Sequence, residues 1–154
     1  MEHTHTTRRG VAVAAIMVAI ALFLGLVATP AHAATDLEQD MLRLTNQDRA
    51  RHDVGRLRLD NARSRKAHKH SAAMARNGRI FHTGDPASYY LRGVRWSKWG
   101  ENVGETSGAL GGLQDAFMDS AAHRRNILDR RFDKVGIGIV RRDGTAWVTL
   151  FFYG

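Results

Sequence analysis

From Asp36 to His52 the apolar residues Leu37, Met41 and Leu44 share one face of a 3.6-residue period, with charged residues opposite. This predicts an amphipathic helix that Gly55 stops. Asp60 has the short carboxylate suited to a helix N-cap, so a second helix is expected from there to about Asn77. Its inner stripe is narrow, made of Ala67, Ser71 and Met74, and Gly78 supplies the C-terminal stop. Residues 83–107 are rich in Gly, Ser, Asp and aromatics, and read as long loops with a short strand near Val94 to Trp96. Leu110, Leu113 and Phe117 lie on one side of a third helix, from roughly Leu110 to Ser120. The period then changes. In Lys134 to Val140, Val135, Ile137 and Ile139 alternate with Gly136 and Gly138, a strand pattern that leaves room for something bulky on the glycine side. Asp143-Gly144 is a two-residue hairpin turn, and Ala146 to Tyr153 returns as a strand apolar on both faces, hence central and covered. Helices first and a hairpin last imply an α+β fold, a three-layer α-β-α sandwich around a small antiparallel sheet.

The N-terminal residues have a different character. Arg8 and Arg9 precede an unbroken apolar run from Val11 to Ala28, followed by Pro30 and the small-residue pattern Ala31-His32-Ala33. That order describes a signal peptide over residues 1–33, cleaved after Ala33 or Ala34. The run is also long enough for an uncleaved anchor, which stays open and would bring membrane contact. Residues 34–154 show no repeat, low-complexity tract or linker, so they read as one domain in a secreted, extracellular or envelope-associated protein. The chain has no cysteine, so an exported domain must be held by packing alone, or by packing plus a metal. Its formal net charge of +8 would draw it to anionic cell-wall polymers, acidic lipids or nucleic acid. No nucleic-acid motif accompanies that charge, and export argues against a genomic partner.

Three short phrases carry candidate chemistry: Gly78-Arg79-Ile80-Phe81-His82-Thr83, Gly100-Glu101-Asn102-Val103-Gly104, and Ser120-Ala121-Ala122-His123-Arg124-Arg125-Asn126-Ile127-Leu128. His82, Glu101 and His123 form a ligand set that suits zinc or another divalent cation with an open position, if the fold brings the segments together. Each histidine taken alone is more readily a structural residue bonded to backbone or to Glu101. Glu101 has two roles open to it: a metal ligand or a group that orients an imidazole, and, in a zinc-dependent hydrolase, a general base. That hydrolase is the alternative to a binding module, and it lacks a credible nucleophile, since there is no Cys and neither Ser71 nor Ser120 has an identified acid partner. Asn102 and Asn126 suit loop-tying roles, and Arg124 and Arg125 could meet a ligand's anionic group at the rim. His70 suits packing, and His52 and His68 read as exposed. The stretch Tyr89 to Trp99 interleaves aromatics with Arg92, Arg95 and Lys98, a surface for cell-wall glycan or lipid if its rings are exposed. Core packing of Tyr90 and Trp99 is the competing reading.

Taken in order, Leu44-Thr45-Asn46 with Arg49, Gly55 and Leu57, Ala67, His70-Ser71 and Met74, Phe81-His82, Gly100-Glu101-Asn102, His123 to Leu128 and Val135-Gly136-Ile137-Gly138 resemble the CAP superfamily in order and spacing. This family, also called SCP/TAPS, includes cysteine-rich secretory proteins, antigen 5 and pathogenesis-related protein 1; the match is to its bacterial, cysteine-free branch. The resemblance runs from about Leu37 to Gly154 and implies an α-β-α sandwich. It also implies a cleft of two histidines and two acidic residues able to bind a divalent metal, often zinc, with His82, Glu101 and His123 on the matching phrases. The second Glu of eukaryotic relatives is absent: the helix before His123 ends Phe117-Met118-Asp119-Ser120 and offers Asp119 or Ser120. Ala122 replaces the usual Gly before the last His. Asn102, Ser120, Arg124 and Trp99 are expected to line the cleft or its rim. The function implied is a secreted, non-enzymatic binding module for a lipid-like ligand, a cell-envelope glycan or a protein partner.

Overall fold

The structure is a computed structural model that describes Met1 and residues 35–154; the export segment predicted over residues 1–33 lies outside the described residues apart from Met1. Among the described residues nine elements follow in chain order: α1 (Asp36–Arg51), β1 (Arg58–Leu59), α2 (Asn61–Asn77), α3 (Pro86–Leu91), β2 (Trp99–Thr106), α4 (Leu110–Asp119), α5 (Ala121–Ile127), β3 (Lys134–Arg142) and β4 (Thr145–Tyr153). The strands form one sheet in the order β1-β3-β4-β2. It is mixed, because the two-residue β1 pairs parallel with β3 while β3 with β4 and β4 with β2 are antiparallel. Among the described residues no helix is long and apolar enough to cross a membrane.

Local chemistry explains most boundaries. Thr35 and Glu38 form a reciprocal capping box at the start of α1. The helix ends at Arg51 with His52 as its cap, and the left-handed turn after it falls on Asp53 (φ 53°), not on Gly55 as the sequence suggested. Asp60 caps α2 as expected, accepting from the amides of Ala62 and Arg63 at 2.8 and 3.1 Å. Asp143 and Gly144 both have positive φ, 49° and 78°, the geometry of a two-residue hairpin turn between β3 and β4. No strand forms at Val94 to Trp96; the strand predicted there begins at Trp99 and runs through a glycine-containing stretch that reads as loop. Eight paired positions along β4 outweigh the poor strand propensity of Gly100, Asn102 and Gly104.

The central strand β4 separates two apolar layers. Val148, Leu150 and Phe152 point toward α1, α4 and α5, joining Met41, Leu113, Phe117, Ile127 and Ile137 in the larger core cluster. Trp147, Phe151 and Tyr153 point to the opposite side, where Ala67, Met74, Tyr90 and Leu91 meet them. On that side α2 lies directly on β3. A Cβ on Gly138 would come within 2.0 Å of the His68 amide nitrogen, so the narrow Ala67–Ser71 stripe and the glycines of β3 belong to one close approach. Serines of α2 complete the backbone bonding of β3 beyond the end of β1: Ser64 Oγ accepts from Ile137 N at 3.0 Å and Ser71 Oγ donates to Gly138 O at 2.9 Å. His68, read as exposed, is half-buried in this layer.

The other layer is tied by polar groups of α1. Asn46 brackets Leu57 through both its amide and its carbonyl, and Gln114 of α4 donates to Asp48 at 2.7 Å. Arg49 is 1% exposed and donates to the carbonyls of Gly55, Ile127, Asp129 and Phe132 at 2.6, 2.7, 3.1 and 2.8 Å. One guanidinium thus holds the end of α5 and the turn after it against α1. Replacing it with an apolar side chain leaves these carbonyls without donors, so Arg49→Met is expected to destabilise the fold by about 3 kcal/mol in chemical denaturation. A loss well below about 1 kcal/mol would show that water substitutes for the guanidinium.

Candidate functional site

His82 reaches its position through the residue before it. The Phe81 carbonyl bonds His70 Nε2 of α2 at 2.8 Å, and the Phe81 ring meets the His70 ring edge-on with centroids 5.1 Å apart. His70 is therefore a packing residue, as its place in the sequence suggested. The next residues turn to Glu101 on β2. Glu101 Oε1 accepts from His82 Nδ1 and from Thr83 N, both at 2.9 Å, and Oε2 accepts from Thr83 Oγ1 at 2.7 Å. The Glu101 side chain is 2% exposed, whereas that of His82 is 61% exposed. The carboxylate is thus engaged from within, and it fixes the tautomer of a neutral His82 so that Nε2 carries the free lone pair.

Tyr90 of α3 closes the inner side of this group. Its ring stacks on Phe151 with centroids 3.9 Å apart, and its buried hydroxyl lies against Thr83 and Glu101 without a well-formed hydrogen bond to either. Burial, reinforced by the nearby Glu101 charge, pushes this phenol well above the ordinary tyrosine range.

His123 approaches from the other face of the same strand. The side chains of β2 alternate, with Glu101 opposite Phe151 on the α2 side and Asn102 opposite Leu150 on the α4–α5 side. Asn102 Nδ2 donates to the His123 carbonyl at 3.1 Å, and Asn126 Nδ2 donates to Asn102 Oδ1 at 2.8 Å and to the Glu101 carbonyl at 3.3 Å. Asn126 lies so close to β2 that a Cβ on Gly100 would sit 2.6 Å from its Oδ1. This glycine therefore admits α5 to the strand. The His123 ring packs against Phe117, centroids 4.9 Å apart.

The predicted residues therefore divide. His82 and Glu101 are in direct contact, Asn102 and Asn126 tie α5 to β2, and Trp99 and Asn126 line an open cleft of about 450 Å³ with His82, Thr83 and Glu101. Ser120 caps α5 without a side-chain hydrogen bond, and Asp119 is exposed at the end of α4. Arg124 turns back to the Met118 carbonyl at 2.7 Å. Among the described residues no three of His, Cys, Asp and Glu stand close enough to hold a metal ion. A zinc centre with three protein ligands does not fit this arrangement, because Glu101 has already committed its oxygens to Thr83 and His82. Thr83 is the member that the sequence did not single out, and Tyr90 was read only as a packing or surface aromatic; Thr83 follows His82 in its phrase, but nothing in one sequence showed which way its hydroxyl turns.

Burial lowers the pKa of His123 below the ordinary histidine range, and the neighbouring His82 lowers it further. A charge on His82 thus opposes protonation of His123. In an NMR titration His123 should change charge below about 6.5, and His82→Ala should move its midpoint upward. An unchanged midpoint would mean that the imidazoles do not sense each other.

Known proteins match over the same region. The family model described as CAP, the cysteine-rich secretory protein family, matches residues 42–152. The uncharacterized protein YkwD of Bacillus subtilis is 28% identical over 119 residues, 74% of this chain and 46% of its own length. The chain thus spans less than half of that relative. An extracellular protein containing an SCP domain from Bacillus anthracis is 27% identical with a TM-score of 0.64, over 75% of this chain and 39% of its own. An outer surface protein of Borrelia burgdorferi, 17% identical, shares the fold with a TM-score of 0.68, over 77% of this chain and 95% of its own. A more distant fold neighbour, NaASP2, was solved with Zn2+; it is 10% identical with a TM-score of 0.57, over 77% of this chain and 80% of its own. With the motifs, the α+β sandwich and the family match all falling on the same residues, the chain belongs to the CAP, or cysteine-rich secretory protein, family.

Proposed function

We propose that this protein is an exported binding module whose cleft beside β2 holds a lipid-like or cell-envelope ligand or a segment of a protein partner. The inward commitment of Glu101 carries this reading. A general base must present a lone pair to water at hydrogen-bond distance, whereas the Glu101 side chain is 2% exposed and both its oxygens are turned to Thr83 and His82. What faces outward is the half of an oriented imidazole that bonds ligands, beside Trp99, Gly100 and the Asn126 amide. Export is supported by the basic, apolar and small-residue order before residue 34 and by the extracellular relative.

In this proposal a divalent cation such as zinc is held through the two imidazoles alone. Glu101 acts behind His82, in the way that a carboxylate behind a ligating histidine sets its orientation and basicity. Such a site keeps most of its coordination shell as water or ligand, so it is weak and exchangeable.

Zinc titration of the full-length chain should show a site that His82→Ala or His123→Ala abolishes and that Glu101→Gln weakens by roughly tenfold or more. A broad peptide and glycan substrate screen is expected to show no turnover that depends on Glu101. Full zinc binding in both histidine variants would refute the cation site. Metal-dependent turnover lost in Glu101→Gln would establish the hydrolase instead.

A further inference from the structure

The basic and aromatic stretch before β2 is divided by the fold. Tyr90 and half-buried Trp99 turn inward against Phe151, with Trp99 stacked at 6.2 Å. Tyr89 and Trp96 stay outside, 37% and 44% exposed. Between them stands Arg92, the exposed C-cap of α3, and beneath Tyr89 lies Lys66 of α2. The Lys66 ammonium donates to the Tyr89 and Tyr90 carbonyls and sits 5.6 Å from the Tyr89 ring centroid.

This surface is concave and continuous with the cleft already described. An open depression of about 590 Å³ is lined by Lys66, Thr83, Asp85, Ser88, Tyr89 and Arg92, and it shares Thr83 with the His82 cleft. A further depression of about 250 Å³ shares Ser88 and Arg92 with it and ends at Trp96. The three follow one another around α3, which suits a chain-like ligand better than a compact one.

The charge along this path is positive and unpaired. Among the described residues no carboxylate forms an ion pair with Lys66, Lys69, Arg92 or Arg95. Asp85, the acidic residue of the middle depression, accepts from Ser88 N at 3.1 Å and caps α3. Burial lowers the Lys66 pKa, and the positive charges of Arg63, Arg92 and Lys69 lower it further, as expected of cations gathered without a counter-ion.

We infer that the trough from Lys66 and Tyr89 past Arg92 to Trp96 is a subsite for an anionic polysaccharide, with sugar rings stacked on Tyr89 and Trp96 and acidic groups paired with Arg92 and Lys66. This rests on the binding-module proposal above and names its ligand class. A glycan is favoured over a lipid surface because the rings flank a guanidinium in a trough, whereas a bilayer is met by a protruding apolar face. Stacking on an open ring supplies contact area with little ordering cost, and a guanidinium adds bidentate pairing to a carboxylate or phosphate.

The test titrates the full-length chain with polygalacturonate, uncharged dextran, single-stranded DNA and phosphatidylglycerol vesicles at one ionic strength, followed by equilibrium binding and tryptophan fluorescence. Polygalacturonate should bind and alter the fluorescence while dextran should not. Arg92→Ala and Trp96→Ala should each weaken binding by roughly tenfold, and Trp96→Tyr should recover most of the loss. Arg141→Ala, which removes an exposed charge on β3, should change affinity by less than about twofold if position and not net charge governs binding. An equal loss in Arg141→Ala overturns the subsite. Tighter binding of DNA or vesicles that depends on Arg92 and Trp96 overturns the ligand class. No binding of polygalacturonate, with zinc binding by His82 and His123 intact, removes this subsite and leaves the cleft proposal standing.

Discussion

Successive residues of a strand point to opposite faces, and the candidate site depends on that alternation at two positions of the edge strand β2. Glu101 enters the α2 side, where it gathers His82 and Thr83; Asn102 enters the α4–α5 side, where it holds the His123 backbone. A shift of one residue in the pairing of β2 with β4 would exchange these faces and place the Glu101 carboxylate opposite Leu150 or Phe152, on the side of the larger core cluster. The register is therefore a chemical constraint as well as a packing one. The apolar alternation of β4, the Gly100 contact with Asn126 and the Arg49 grip on the end of α5 all defend it.

A buried carboxylate must find hydrogen-bond donors. Glu101 has three, two of them from Thr83, so its satisfaction depends on the segment it orders. The arrangement couples the 81–83 segment to the sheet and leaves His82 fixed at one nitrogen and open at the other. On the opposite face, the His123 ring is held by Phe117 and its carbonyl by Asn102. A site assembled in this way presents the oriented His82 imidazole to an open cleft. That suits recognition of a ligand whose own atoms complete the contact.

Much of this was legible in the residues, though for unequal reasons. The capping aspartate of α2, the Asp143-Gly144 turn and the doubly apolar β4 are local signals, and the structure bears them out. The short α3 and α5 and the two-residue β1 were not anticipated, and β2 was read as loop. Gly100, Asn102 and Gly104 look like turn chemistry until α5 and Phe117 are placed against them; their strand character comes from tertiary contact. Leu44-Thr45-Asn46 with Arg49, the phrase that first carries the family resemblance, proves to be scaffold: Asn46 brackets Leu57 and Arg49 clamps four carbonyls. Residue type alone left Glu101 open as a ligand beside His82 and His123, as a group orienting an imidazole, or as a base. Their hydrogen bonds make them unequal, since orientation is a property of the fold and not of spacing along the chain.

On the proposed reading, Glu101 positions His82 from behind and does not itself take the cation or the proton. A crystal structure of the protein soaked with zinc, with anomalous scattering recorded at the zinc edge, tests it most directly. Zinc is expected at His82 Nε2 and His123, with Glu101 still accepting from Thr83 N and Oγ1. Zinc bound to a Glu101 oxygen released from Thr83, or zinc bound away from both imidazoles, would contradict it.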